Sequence, residues 1–103
     1  MNLAASNFRG HERNTLRGFV DLTFLDTSLT IREVAVHEQN GRQWVSLPAR
    51  PVVDTRTGVA ERSDTGKIKY VAVLNFSRRE ANDAFQREAL AAIARLAAEQ
   101  PPP

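Results

Sequence analysis

The stretch that decides the fold is residues 34–47, VAVHEQNGRQWVSL. At its centre, Asn40-Gly41 is the dipeptide that best tolerates the two positive φ angles of a type I′ turn. A two-residue loop at this point places Val36 opposite Val45. Apolar side chains then meet on one face, as a half-buried sheet requires. The sequence therefore predicts an antiparallel hairpin with one buried face and one open face.

The residues before this hairpin add one more strand. A loop at Asp26-Thr27 places Leu22 opposite Ile31, but the apolar phase of the second strand then slips before Val34. One extra residue near Arg32-Glu33, a β-bulge, restores the phase. Four side chains of the earlier strand are then predicted to face the core: Leu16, Val20, Leu22 and Phe24.

The chain after the hairpin is predicted to form a loop, a strand and a helix. Residues 48–66 show no clear period, and their order stays open. Residues 67–76 are apolar on both alternating faces, which is typical of a strand covered on both sides. Ser77 and Glu80 form a capping-box pattern before an amphipathic helix that runs to about residue 98. The predicted fold is α+β: a small antiparallel four-stranded sheet (β-β-β-β-α order) with one C-terminal helix packed on it.

Length and composition limit the number of domains and the location that we expect for the protein. The chain has 103 residues, which suits one domain. We expect a flexible leader at 1–13, a single α+β domain at 14–99 and a proline tail at 100–103. No apolar run approaches the roughly 20 residues that span a bilayer. We therefore expect a cytoplasmic protein with no membrane partner.

Catalytic chemistry has little support in the sequence. The chain has no cysteine, which excludes disulfides, thiolate metal sites and cysteine nucleophiles. His11 and His37 have no partner at metal-ligand spacing. The single glycines form no phosphate-cradling loop. We expect no enzyme activity, no catalytic residue, no metal, no cofactor and no small-molecule substrate.

Positive charge is concentrated in the middle of the chain. Residues 41–79 contain eight basic and three acidic residues, whereas 80–103 contain two basic and four acidic ones. This asymmetry favours an anionic partner, although an uneven solvated surface would give the same pattern. The start of the predicted helix is a further candidate, because free N–H groups there favour a phosphate. The candidate nucleic-acid-binding residues are Arg50, Lys67, Lys69, Arg78 and Arg79.

The open face of the predicted sheet combines aromatic and basic side chains. They are Arg17, Phe19, His37, Arg42 and Trp44. Aromatic rings on a sheet stack splayed bases, while guanidinium groups hold phosphates. The same rings suit burial under a loop or in a dimer, because one helix covers only one face of a sheet. The sequence leaves both interpretations open.

Residues 20–50, VDLTFLDTSLTIREVAVHEQNGRQWVSLPAR, resemble the SpoVG family (stage V sporulation protein G, septation regulators). The matching features are a strand ending in Thr-Phe, the Asn-Gly turn and the run aromatic-Val-x-Leu-Pro-x-basic. Residues 75–80, NFSRRE, are similar to the family's closing strand and helix start. The resemblance implies a homodimeric bacterial regulator that binds nucleic acid, DNA rather than RNA. It also implies that Arg78 and Arg79, which match basic positions at the helix start, take part in binding.

Two alternatives stand beside this interpretation. The element order and the aromatic, basic sheet face are also similar to PC4-type single-stranded-DNA binders, which would use that face. The other alternative is a non-catalytic protein-interaction module, in which Phe19 and Trp44 form the partner or dimer surface. Salt dependence of DNA binding separates these classes, because only phosphate neutralisation releases counterions.

Overall fold

The computed structural model describes residues 1–99, in which six β-strands precede one α-helix. The elements are β1 (Leu3–Arg13), β2 (Leu16–Phe24), β3 (Leu29–Gln39), β4 (Arg42–Ser46), β5 (Ala49–Pro51), β6 (Tyr70–Ala72) and α1 (Arg79–Glu99). Strands β1 to β4 form one antiparallel sheet in chain order, and β5 pairs with β6 in a separate two-stranded sheet. The predicted α+β class is confirmed. The proline tail at 100–103 lies outside the described residues.

The hairpin that decides the fold forms in the predicted register. Asn40 and Gly41 have φ angles of 53° and 79°, as a type I′ turn requires. Val36 faces Val45 across the β3–β4 pair. This part of the prediction is confirmed because local turn chemistry alone determines it.

The predicted bulge in β3 is also confirmed. Val20 faces Val34, and Leu22 faces Ile31, so β3 has one extra residue between these pairs. Glu33, inside the bulge, has a φ of 60°. The bulge keeps the apolar side chains of both strands on one face of the sheet.

The first strand corrects the expectation of a flexible leader at 1–13. β1 pairs with β2 along its length, and Leu3 is only 2% exposed. Residues 6–13, mostly polar, are exposed because they form the outer strand of the sheet, beyond its buried part. Two register shifts in β1 also remove the alternation by which a strand is recognised. Residues 3–13 therefore belong to the four-stranded sheet and are not a flexible leader.

The strand predicted at 67–76 is wrong in extent and in partner. Only Tyr70–Ala72 forms a strand, and it pairs with β5 instead of joining the four-stranded sheet. Its residues are exposed rather than covered on both sides. Farther along, Leu74 and Phe76 pack against the core. The apolar run is thus divided in two: residues 70–72 pair with β5, and Leu74 and Phe76 pack against the core. Its two apolar faces therefore do not belong to one covered strand.

Residues 49–72 form a small unit of their own, called the arm below. Val52 N donates to Lys69 O at 2.9 Å, Lys69 N to Glu61 O at 2.9 Å, and Glu61 N to Val52 O at 2.8 Å. These bonds join three chain segments in a closed ring. The described chain has a radius of gyration of 15.5 Å, against about 13 Å for a compact domain of roughly 100 residues. The segment 48–66 is therefore ordered by its own hydrogen bonds, as an extension of the domain.

Helix α1 covers one face of the four-stranded sheet. Its buried residues are Phe85, Ala89 and Ala92. Phe85 is fully buried, with its ring centroid 6.1 Å from that of Phe24 and 5.0 Å from that of Phe76. The predicted apolar stripe of the helix thus packs on the core side of the sheet. The helix does not cover the opposite face of the sheet.

The helix does not begin with the predicted capping box. Its first residue is Arg79, and Asn82 N donates to Arg78 O at 3.2 Å, so Arg78 occupies the N-cap position. Ser77 therefore lies one residue too early for its hydroxyl to cap the helix as predicted. Two exposed arginines, Arg78 and Arg79, therefore occupy the N-cap and the first position of α1.

Two side chains of α1 hold the two outer strands of the sheet. Gln86 Oε1 accepts from Val45 N at 3.0 Å, and Gln86 Nε2 donates to Val45 O at 2.9 Å. At the other edge, Arg95 Nη2 donates to Leu3 O at 3.1 Å. These bonds satisfy edge peptide groups that would otherwise be open to a strand of another chain.

Gly18 is required by the close approach of β1 to β2. A Cβ atom at position 18 would lie 2.5 Å from Arg9 O and 2.8 Å from Phe8 Cζ. We expect Gly18→Ala to lower the free energy of unfolding by about 1–3 kcal/mol, because the strands must shift. Urea denaturation measures this loss. Gly10→Ala is the control, since no atom lies within 4 Å of its Cβ position, and an equal loss there would contradict the steric explanation.

Candidate functional site

The face of the sheet turned away from α1 carries an aromatic cluster of Phe19, His37 and Trp44, called the aromatic face below. The His37 and Trp44 rings are stacked, with centroids 5.3 Å apart and planes within 6° of parallel. The two residues are direct partners across β3 and β4. All three side chains are half-buried. The structure thus brings together the aromatic residues that the sequence predicted on one face.

His37 contributes a neutral ring to this face. Its Nδ1 atom lies 3.0 Å from Thr15 Oγ1, at hydrogen-bond distance. Partial burial lowers the pKa of His37 below its ordinary value of 6.5, because it disfavours the charged form. At neutral pH His37 is therefore a flat stacking surface for Trp44 rather than a cation.

The two arginines predicted on this face, Arg17 and Arg42, make different contacts. Arg42 Cζ lies 5.9 Å from the centroid of the Trp44 ring, within cation–π range. Arg17 lies at a register shift in β2, and its Nη1 donates to Asn14 O at 3.0 Å. Arg17 therefore stabilises the β1–β2 turn, whereas Arg42 belongs to the aromatic face as predicted.

A cavity of about 620 Å³ separates the aromatic face from the base of the arm. Leu16 lines this cavity instead of the core, because the register shift that follows it reverses the direction of its side chain. That part of the predicted core is wrong. Ala49 and Tyr70 of the arm line the same cavity as Phe19 and His37. The arm thus lies beside the part of the aromatic face that Phe19 and His37 form.

A second cavity, of about 600 Å³, lies at the outer edge of β4 against the first half of α1 and is called the β4 groove below. Its lining residues are Arg42, Gln43, Trp44, Asn82, Asp83, Gln86 and Arg87. Trp44 belongs to both the groove and the aromatic face. The sequence analysis missed the helix residues of the groove. Their spacing along α1 places them on one flank of the helix, but only the tertiary structure shows that β4 lies beside that flank.

Three of the five predicted phosphate-binding residues lie on one side of the arm. Arg50 faces Val71, and Val52 N bonds to Lys69 O. Because side chains alternate along a strand, Arg50 and Lys69 share a face in this register, and Lys67 lies two residues before Lys69 in the chain. All three are exposed, and none takes part in an ion pair within residues 1–99.

The other two, Arg78 and Arg79, lie at the start of α1. Both are exposed. Arg79 Nε lies 4.0 Å from Asp83 Oδ2, one turn along the helix, and 91% of its side chain is exposed. A pair this exposed adds little to stability, so Arg79 stays available to another anion. The predicted cations therefore form two groups, one on the arm and one at the helix start.

A buried carboxylate that the sequence analysis missed holds the centre of the sheet together. Asp21 is 3% exposed. Its oxygens lie 3.1 Å from Asn7 Nδ2, 3.1 Å from Glu33 N, 3.5 Å from Arg9 Nη2 and 3.8 Å from Arg32 Nη1. Asn7 and Glu33 have positive φ angles of 53° and 60° at register shifts on either side of Asp21. With every oxygen occupied by a partner, Asp21 has a structural role.

Among residues 1–99, no group of three or more His, Cys, Asp or Glu side chains is placed to hold a metal ion. No helix in this range is both long enough and apolar enough to cross a membrane.

Comparison with known proteins does not identify a function for this chain. No family model, curated protein or solved structure matches the chain. The resemblance to SpoVG therefore stays a prediction.

Proposed function

We propose that this protein binds nucleic acid, with exposed cations of the arm and of the helix start contacting phosphates. The side chains concerned are Arg50, Lys67, Lys69, Arg78 and Arg79. The observation that carries the proposal is that Arg50 and Lys69 lie on one side of the arm, with Lys67 two residues away in the chain, and that none of the three has an ion-pair partner in residues 1–99. Such cations have no role in holding the fold, and they suit the regularly spaced charges of a phosphate backbone.

The stacked rings of His37 and Trp44 favour nucleic acid over a simple anion. Their centroids lie 5.3 Å apart, and both residues are half-buried. Cations that follow the backbone, together with rings that stack on bases, are the usual means of binding single strands. DNA rather than RNA, a cytoplasmic location, a homodimer and a bacterial regulatory role like that of SpoVG complete the proposal.

The proposal is tested by fluorescence anisotropy with labelled single-stranded and duplex DNA at about 50 and 200 mM salt. If all five side chains contact phosphates, each contributes about 0.7 to the salt slope for a single strand. We therefore expect the affinity for a single strand to fall about 100-fold over this range. Absent binding at the lower salt, or binding that salt does not weaken, would contradict the proposal.

A protein-interaction module is the second candidate, and one observation favours it. The arm exposes large apolar side chains, among them Val59 at 63% and Tyr70 at 62%. Exposed apolar residues on a small unit mark a surface for another protein or for a second copy of the chain. Association that resists high salt, with no binding of DNA, would favour this candidate over the first.

A further inference from the structure

The stack of His37 and Trp44 ends at Trp44, where the exposed Arg42 guanidinium lies 5.9 Å from the centroid of the ring. The stack runs from β3 to β4, across the strands, because its 5.3 Å ring spacing is close to the roughly 4.8 Å between strands. Strand β4 is the outer strand of the sheet. A third ring placed in the same direction would therefore lie beyond the edge of the sheet, in the β4 groove.

The groove supplies the other groups that a nucleotide needs. Arg42 and Arg87 bring positive charge to its walls, and Asn82 presents an exposed amide, a donor and an acceptor, to the space beside Trp44. The single carboxylate among its lining residues, Asp83, lies 4.0 Å from Arg79.

The groove is also better placed for a base than the aromatic face. The arm residues Ala49 and Tyr70 share a cavity with Phe19 and His37, so the arm borders that part of the face. The groove instead lies beside α1, whose first residues include two of the proposed phosphate ligands, Arg78 and Arg79. A strand held at the helix start thus has a path to Trp44 along the same helix.

We infer that the β4 groove is a nucleobase-binding site. A base takes the place of the exposed Arg42 guanidinium over Trp44 and continues the stack, its edge faces Asn82, and its phosphates lie near Arg42 and Arg87. The inference rests on the proposed function, because the ligand is a nucleotide of the bound strand. It differs from stacking on the aromatic face, since Phe19 takes no part.

The test compares a labelled oligonucleotide of about 12 nucleotides with the same backbone carrying abasic sites. We expect the wild type to prefer the oligonucleotide with bases about 10-fold or more, the size of one stacking contact. Trp44→Leu should lose this preference while keeping its affinity for the abasic strand, and Trp44→Phe should keep most of it. Phe19→Leu is the matched control, expected to behave as the wild type.

The two proposals fail in different ways. Equal affinity of the wild type for both strands, or loss of the preference in Phe19→Leu, would overturn the groove while leaving phosphate binding intact. Binding of neither strand would remove the proposed function and the groove together. If Trp44→Leu does not fold, the fluorescence of the wild type still tests the inference, because Trp44 is the only tryptophan in the sequence. A nucleoside monophosphate should then quench its emission saturably, and ribose 5-phosphate should not; equal effects would overturn the inference.

Discussion

Asp21→Asn is expected to lower the free energy of unfolding by about 2–3 kcal/mol, since it breaks several hydrogen bonds to a charged group. Asparagine replaces one carboxylate oxygen with a donor, which faces the Asn7 amide at 3.1 Å or the Glu33 N–H at 3.1 Å. It also removes the charge that pairs with Arg9 and Arg32. Urea denaturation at pH 7, followed by tryptophan fluorescence, measures the loss.

The control for this change is another aspartate of the same sheet. Asp26 is exposed in the β2–β3 turn, so Asp26→Asn should change stability by no more than about 0.5 kcal/mol. Similar losses in both variants would show that Asp21 has no special role between the two bulges. A loss confined to Asp21 would show that the central carboxylate holds both neighbouring strands in register.

The same carboxylate makes stability depend on pH. The Asn7 amide, followed by the Glu33 N–H, holds the pKa of Asp21 below its ordinary value of 3.8, while burial opposes this shift. The unfolded chain therefore takes up the proton first as the pH falls. The stabilisation is complete above about pH 4 to 5 and is lost as the pH falls through the lower, folded pKa. Asp21→Asn should lack this part of the acid loss, whereas Asp26→Asn should keep it.

The parts of the fold that the sequence predicted correctly are those determined by residues close together in the chain. The Asn40-Gly41 turn fixes the β3–β4 register by local geometry, and the phase slip before Val34 reveals the bulge in β3. Strand β1 is different, because its outer residues face solvent and its bulges hide its period. Its bulge at Asn7 is held by Asp21, fourteen residues away. Such a long-range contact leaves no periodic signal in the sequence.

The candidate site likewise has one part that the sequence predicted, the pair His37 and Trp44, and one that it did not, the β4 groove. Alternation along two paired strands was sufficient to place His37 and Trp44 on one face, and their stacking follows from that register. The β4 groove required knowledge of how α1 crosses the sheet, which Gln86 fixes through its two bonds to Val45. A helical pattern shows which residues share a flank, but not which strand lies beside it.

Removing the arm cations by the triple change Arg50→Ala, Lys67→Ala and Lys69→Ala is expected to weaken single-stranded DNA binding about 100-fold or more at 50 mM salt. Each lost phosphate contact should also lower the salt slope by about 0.7, so the slope should fall by about 2. Because these side chains are exposed and outside any ion pair in residues 1–99, stability should stay unchanged. Anisotropy over a salt series measures affinity and slope together.

Two further variants decide how this result is interpreted. Arg13→Ala removes one exposed cation from β1 and is the matched control for Lys69→Ala, so it should leave the slope unchanged. Arg78→Ala with Arg79→Ala should lower the slope by about 1.4 if the helix start contacts the same strand as the arm. An affinity that falls while the slope stays constant would mean that these residues act without touching phosphates. If Arg13→Ala is as harmful as Lys69→Ala, overall charge rather than the arm governs binding, and the arm is not the site.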